Sequence, residues 1–248
     1  MCGATLSVIT KEENEDGLYS VFWATPNQTG VVPVRVEVDT DGRLIMAEIW
    51  GLRHLLITKE VLGQDRTGEG LTLNVSRGAI KKLILRTSSK TELIKHAIWL
   101  RTRFSDADIR CPKKTINPDD IRRRLSDFGD AGEPLLRIRE DSSPHDYIDT
   151  SIGQVRISCH SVMRMQERLG LKNHAASWRV IRRILRKNGL ETAMIPRSVL
   201  IQKRKQYDED ALYLNSPSGW QMVFVPVEGG LVLTTIYKKP SQSFACAA

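Results

Sequence analysis

The chain has 248 residues, 41% of them hydrophobic, and 37 Lys/Arg against 29 Asp/Glu for a net charge of +8. That length holds one large or two ordinary domains, and that apolar share is ample for a packed core. No apolar run approaches the roughly 20 residues that a membrane-spanning helix needs, so a membrane partner is not expected.

The charge is uneven. From Gly153 to Pro240 there are 15 Lys/Arg and 6 Asp/Glu, a balance of +9, while the remainder holds 22 basic and 23 acidic residues. Such asymmetry favours an anionic partner for the C-terminal part, nucleic acid before membrane. Cys2, Cys111, Cys159 and Cys246 are far apart and form no CxxC pair. A reduced, cytoplasmic chain with free thiols is the simplest reading. The start MCGATLSVITKEEN lacks a basic stretch followed by a long apolar one, so no signal peptide is expected.

In chain order, residues 4–10 (ATLSVIT), 18–25 (LYSVFWAT) and 31–38 (VVPVRVEV) read as three strands separated by turn-forming KEENEDG and PNQTG. After the tight turn TDGR, residues 44–62 become helical. LTLNV (71–75) is an apolar strand, and RGAIKKLILRT begins a helix. Residues 90–104 read as another helix with Leu93, Ala97, Leu100 and Phe104 along one side, and DADIRCP as a short strand.

Two blocks of this part resemble the ribonuclease H family. AEIWGLRHLL is similar to the family helix that carries a catalytic glutamate, here Glu48. LTLNVSRGAIKKLI is similar to its strand and helix bearing a second carboxylate. The resemblance covers about residues 4–112 and implies an RNase H-like mixed sheet with helices. It departs at the acids. Ser76 stands where the second carboxylate belongs, and the first strand has no acid, Glu12 and Glu13 lying beyond its end. Two-ion hydrolysis needs converging carboxylates. The expectation is therefore a degenerate scaffold with no metal site. Magnesium enters only if this part is active, with Glu48 helped by acids such as Glu12 or Asp39. Taken alone, Glu48 reads as an exposed helix residue.

Residues 113–152 are turn-rich and read as a linker with one short helix, DDIRRRLSDF, opened by Asn117-Pro118-Asp119. His145 reads as a surface histidine. Residues 153–240 then read as a small α+β domain, followed by a frayed tail at 241–248. QVRIS is a strand, and two amphipathic helices follow within residues 157–189. On the first, His160, Arg164 and Arg168 recur every four residues on one side, with Val162, Met165 and Leu169 roughly opposite. On the second, Trp178, Ile181, Ile184 and Leu185 form the apolar stripe and Arg179, Arg182, Arg183, Arg186 and Lys187 the basic one. Lys203, Arg204 and Lys205 add a basic run. ALYLN, WQMVFVPV and LVLTTIYK are three strands of an antiparallel meander, with SPSG and EGG as turns.

The segment from Val155 to Tyr237 resembles the RelE, barnase and colicin group of ribonuclease folds. It is closest to a branch with an S-x-H-A-x-x-R-M-x-x-R helix and a last strand ending T-x-Y. Here these are Ser158, His160, Ser161 in place of alanine, Arg164, Met165 and Arg168, with Thr235 and Tyr237. Members include RNA-cleaving toxins and domains of mobile elements. Metal-independent RNA cleavage needs a base for the 2′-OH, an acid for the leaving oxygen and cations for the phosphorane. His160 suits base or acid, Arg164 and Arg168 suit phosphate, and Thr235 and Tyr237 could orient the scissile group. By strict alternation Leu231 and Leu233 share the face of Thr235 and Tyr237, so burial in the core competes with that role. The function expected is RNA or single-stranded DNA binding, with candidate endoribonuclease activity. The alternatives are a non-catalytic binding or protein-interaction module, and an active metal-dependent nuclease in the N-terminal part.

Overall fold

The computed structural model describes residues 3–85, 87–113, 116–128, 133–142, 146–187, 189–195 and 211–238. The protein is a mixed α/β chain of two compact units, Met1–His145 and Asp146–Ala248. Each holds one mixed sheet, six-stranded among the described residues. His145 and the run Lys203, Arg204 and Lys205 lie outside the described residues.

In the first unit, β1 (Ala4–Glu12), β2 (Leu18–Ala24) and β3 (Thr29–Val36) form an antiparallel meander. α1 (Arg43–Arg53) crosses to β4 (Leu71–Asn74), which lies parallel to β1. α2 (Gly78–Ile84) and α3 (Ile98–Thr102) follow, then β5 (Asp108–Arg110), parallel to β4. The strand order is β5-β4-β1-β2-β3, extended past β3 by β6 (Leu136–Ile138).

α1 is buried nearly all round, through Met46, Ala47, Glu48, Ile49, Gly51 and Leu52. It can lie close to the sheet because Gly51 has no side chain; a Cβ there would come within 2.8 Å of Val21. The helix ends in a π-helical turn, His54–Thr58, closed by Lys59 N–H donating to the His54 carbonyl at 2.7 Å. The helix expected over 90–104 is broken instead. Two 3₁₀ turns, Thr91–Leu93 and Lys95–Ala97, precede α3, and His96 turns inward to accept from Trp50 Nε1 at 3.2 Å. The expected inward residues Leu93, Ala97, Leu100 and Phe104 are all buried despite the break.

Within residues 113–152 the expected short helix is present and the division between the two units falls after His145, while short strands join the sheets. α4 (Pro118–Phe128) starts where Asn117 Oδ1 accepts from Asp119 N–H at 3.1 Å, and it packs against β3. Its Arg122 pairs with Glu13 at 2.6 Å and lies 5.0 Å over the Phe22 ring. β6 joins the first sheet, and β7 (Tyr147–Thr150) pairs with a strand of the second. β6 and β7 are short and lie in turn-rich sequence, so nothing in the local pattern marks them as strands.

In the second unit β8 (Gly153–Ile157) leads into α5 (Cys159–Leu169) and α6 (His174–Arg186). β9 (Glu191–Thr192) and β10 (Leu212–Asn215) precede the hairpin of β11 (Trp220–Val227) and β12 (Gly230–Lys238). The order is β7-β8-β12-β11-β10-β9; β8 and β12 are parallel and the other described pairs antiparallel. Val162 and Met165 of α5 and Trp178, Ile181, Ile184 and Leu185 of α6 bury against Leu214, Met222, Phe224, Leu233 and Ile236. Leu169, expected inward, is exposed. It is the last residue of α5, before Gly170 turns left-handed at φ 60°.

Candidate functional site

Glu48 is fully buried, which corrects its reading as an exposed residue. One carboxylate oxygen accepts from the Ser76 backbone N–H at 2.7 Å, the other from Thr10 Oγ1 at 2.9 Å. Ser76 Oγ also donates to it. Burial pushes the carboxyl above its ordinary range, and the hydrogen bonds from Ser76 and Thr10 pull it partly back. Thr10 is absent from the sequence reading, although it continues the inward alternation of Leu6 and Val8.

The acids that could have joined Glu48 are engaged elsewhere. Glu12 accepts from Tyr19 Oη at 3.4 Å, Glu13 pairs with Arg122, and Asp39 pairs with Arg43 at 3.2 Å. Among the described residues no three His, Cys, Asp or Glu converge as metal ligands do. Around Glu48 the neighbours are hydrogen-bond donors aimed at both its oxygens, and two divalent ions would need further anionic oxygens there. These residues do not fit the two-ion site that the ribonuclease H resemblance implies.

In the second unit, Ser158 caps α5 by accepting from Ser161 N–H at 3.1 Å. Ser158 Oγ also lies 3.2 Å from the Thr234 carbonyl, tying the helix start to β12. Ser161 is buried and donates to the Ser158 carbonyl at 2.8 Å, which satisfies the hydroxyl that replaces an alanine methyl. His160, Arg164 and Arg168 are exposed along one side of the helix. Arg164 Nε donates to His160 Nε2 at 3.4 Å, and Arg164 Nη1 pairs with Glu167 at 3.0 Å. In that arrangement Nε2 is the acceptor, so the neutral ring carries its proton on Nδ1. The Arg168 guanidinium lies 5.6 Å over the Tyr237 ring. Glu167 is likewise absent from the sequence reading, although the three-residue spacing from Arg164 is a standard helix pairing.

β12 carries a bulge that the sequence does not announce. Val223 pairs with Thr235 while Phe224 pairs with Leu233, leaving Thr234 as the extra residue. Thr234 Oγ1 donates to the Val223 carbonyl at 3.1 Å. The bulge changes the phase of the strand. Leu231, Leu233 and Ile236 meet the helix-side core, while Tyr237 joins Tyr213 and Val223 on the opposite face. Thr235, opposite Val223, shares that second face. The expectation that Leu231 and Leu233 lie beside Thr235 and Tyr237 is therefore corrected. Arg168 and Tyr237 come together, whereas Thr235 makes no polar contact with His160, Arg164 or Arg168 among the described hydrogen bonds.

On α6 the basic stripe is exposed at Arg179, Arg183 and Arg186, and Lys187, in extended backbone just past the helix end, is exposed as well. Arg182 is half-buried, its guanidinium 5.6 Å over the Trp178 ring, so it also packs. The helix starts at Asn173, whose side chain accepts from Ala176 N–H at 2.8 Å. No helix among the described residues is long and apolar enough to cross a membrane. Compared with protein-family models and with curated proteins, the chain matches none.

Proposed function

We propose that the chain binds single-stranded nucleic acid through its second unit, and that His160 with the arginines beside it is a candidate metal-independent endoribonuclease site. The observation that carries this is the exposed row His160, Arg164 and Arg168, which ends over the Tyr237 ring. A titratable ring, two guanidiniums and a phenol on one surface are what proton transfer beside a phosphate requires. The strand, two-helix and meander order supports likeness to the RelE, barnase and colicin group, and the basic face of α6 supports RNA or single-stranded DNA as partner.

In this mechanism phosphate takes Arg164 and Arg168 as its cationic partners. Arg164 then leaves His160 Nε2, whose lone pair accepts the 2′-OH proton. The 2′-oxygen attacks phosphorus and the bond from phosphorus to the 5′-oxygen breaks; the 5′-oxygen takes a proton from solvent water, and a 2′,3′-cyclic phosphate remains. Tyr237 orients the scissile group from beneath Arg168. A second reading, binding without cleavage, is favoured by the ties of Arg164 to both His160 and Glu167, which occupy the base. For the first unit we propose an RNase H-like scaffold that does not work by two metal ions. The order of three antiparallel strands, a helix and two parallel strands supports the likeness, and the donors around Glu48 speak against the chemistry.

The test is cleavage of mixed-sequence RNA in EDTA. Wild type should leave 2′,3′-cyclic phosphate ends, and His160→Ala should lose cleavage while keeping nearly all binding, because one imidazole adds little to a phosphate-driven affinity. Tight, salt-sensitive binding with no cleavage in EDTA or with added metal leaves the binding module. Binding that stays flat from low to high salt ends the nucleic-acid reading.

A further inference from the structure

The sheet face opposite α5 and α6 carries a polar row. Asn215 of β10 stands directly across from Gln221 of β11, and Gln221 directly across from Tyr237 of β12. Directly opposed residues share one face of a sheet at neighbouring-strand spacing. The Arg168 guanidinium, 5.6 Å over the Tyr237 ring, closes that end of the row. Two atoms of the row, Asn215 Oδ1 and Gln221 Nε2, are buried with no hydrogen-bond partner among the described residues. One is an acceptor and the other a donor. A buried polar atom left unpaired is costly, and neither amide is needed by the ladder, which uses backbone groups.

Both residues are half-buried rather than sealed. The last torsion of an amide side chain is soft and roughly two-fold, so a half-turn brings the orphan atom to the open side. An amide acceptor beside an amide donor matches a base that presents an amino group next to a ring nitrogen. The Arg168 guanidinium over the Tyr237 ring supplies a phosphate partner at the end of the row.

We infer that Asn215 and Gln221 form a base-reading subsite that prefers adenine or cytosine over uracil. Asn215 Oδ1 accepts from the exocyclic amino group and Gln221 Nε2 donates to the adjacent ring nitrogen. Arg168, lying over the Tyr237 ring, takes a phosphate. This rests on the nucleic-acid reading of the second unit and adds sequence preference to it.

The test uses the full chain and 2′-O-methyl oligonucleotides of A, C or U, one length each, which lack the nucleophile for metal-independent cleavage. Binding is read by fluorescence anisotropy across a salt series, beside thermal unfolding of each variant. Wild type should bind the A and C oligomers roughly tenfold more tightly than U, the order expected for one well-matched amide pair. Asn215→Ala and Gln221→Leu should each bring the three within about twofold, with the salt slope unchanged because every phosphate partner is kept. Salt-sensitive binding with no base preference in wild type overturns this inference alone, as does a preference that survives both substitutions. Variants that melt higher with preference intact show a merely unsatisfied pair and overturn it too. Absence of salt-sensitive binding to any oligomer removes this inference together with the reading beneath it.

Discussion

Glu48→Ala and Glu48→Gln should separate what the buried carboxylate does for the first unit. The alanine variant leaves the Ser76 backbone N–H without its acceptor and removes the partner of the Thr10 and Ser76 hydroxyls. A stranded buried donor costs about 1–3 kcal/mol, and truncating a buried side chain to alanine about 2–5 kcal/mol. Relief of the buried charge offsets part of that, so a net loss on the order of 3 kcal/mol is expected. With ordinary urea sensitivity this lowers the midpoint by roughly 1 to 2 M. The glutamine variant keeps the volume and one acceptor oxygen, and the hydroxyls can turn to accept from its amide, so it should lose far less. The two variants also differ with pH. Burial raises the folded-state carboxyl above its ordinary value of 4.5. Between 4.5 and that raised value the native chain keeps a proton that the unfolded chain has released. Wild-type stability from this source therefore falls as pH rises through the window, and Glu48→Gln lacks the slope. Urea midpoints read by pulsed hydrogen exchange at α1 and β4, from pH 4.5 upward, measure both effects. Equal midpoints for the alanine and glutamine variants at every pH would refute the account.

Two further outcomes are expected. Arg183→Ala with Arg186→Ala should flatten the dependence of log affinity on log salt by roughly 1.4, about 0.7 for each single-strand phosphate no longer neutralised, and an unchanged slope would take α6 out of the interface. Arg182 is kept native there, because its stacking on Trp178 would mix packing effects into the result. His96 is held down to about 4 from 6.5, by burial first and Lys95 second. Its contribution to stability is whole above 6.5 and is lost as pH falls from there towards 4. His96→Gln keeps an acceptor for Trp50 Nε1 and should remove that acid-side loss in urea unfolding between those pH values, whereas an identical pH profile would show the histidine to be unimportant.

The long elements are legible because their periodicity is long. The β1–β3 meander, α1, α5, α6 and the β11–β12 hairpin all carry several repeats of an inward position. β6, β7 and β9 carry one or two, and an edge strand of that length is held by its neighbour's backbone rather than by its own side chains. The break at Ala97 is hidden for a related reason. The same residues face inward in a continuous helix and in two 3₁₀ turns, so the pattern cannot tell them apart. Glu48 misleads because a charged residue in a helix is usually exposed. The near-unbroken apolar run around it is the signal that the helix has no outer face. In the second unit the sequence places His160, Arg164 and Arg168 on one side of α5 but not Glu167 beside them, because charge pairs depend on rotamers as well as spacing.

The bulge at Thr234 decides which of these residues can share a site. Under strict alternation Leu231, Leu233, Thr235 and Tyr237 would point the same way, and Tyr237 would enter the core with Val162 and Met165. A phenol there needs a hydrogen-bond partner among apolar side chains, which is costly. One extra residue reverses the phase, keeps Leu233 and Ile236 inside, and places Tyr237 on the other face where Arg168 covers its ring. The bulge is held by Thr234 Oγ1 on the Val223 carbonyl and by Ser158 Oγ against the Thr234 carbonyl. Ser158 is also the cap that starts α5. One serine thus sets both the origin of the helix that presents His160 and Arg164 and the phase of the strand that presents Tyr237. That shared anchor links the two halves of the T-x-Y and S-x-H pattern physically: shifting either element by one residue would break the Ser158 bonds and part Arg168 from Tyr237.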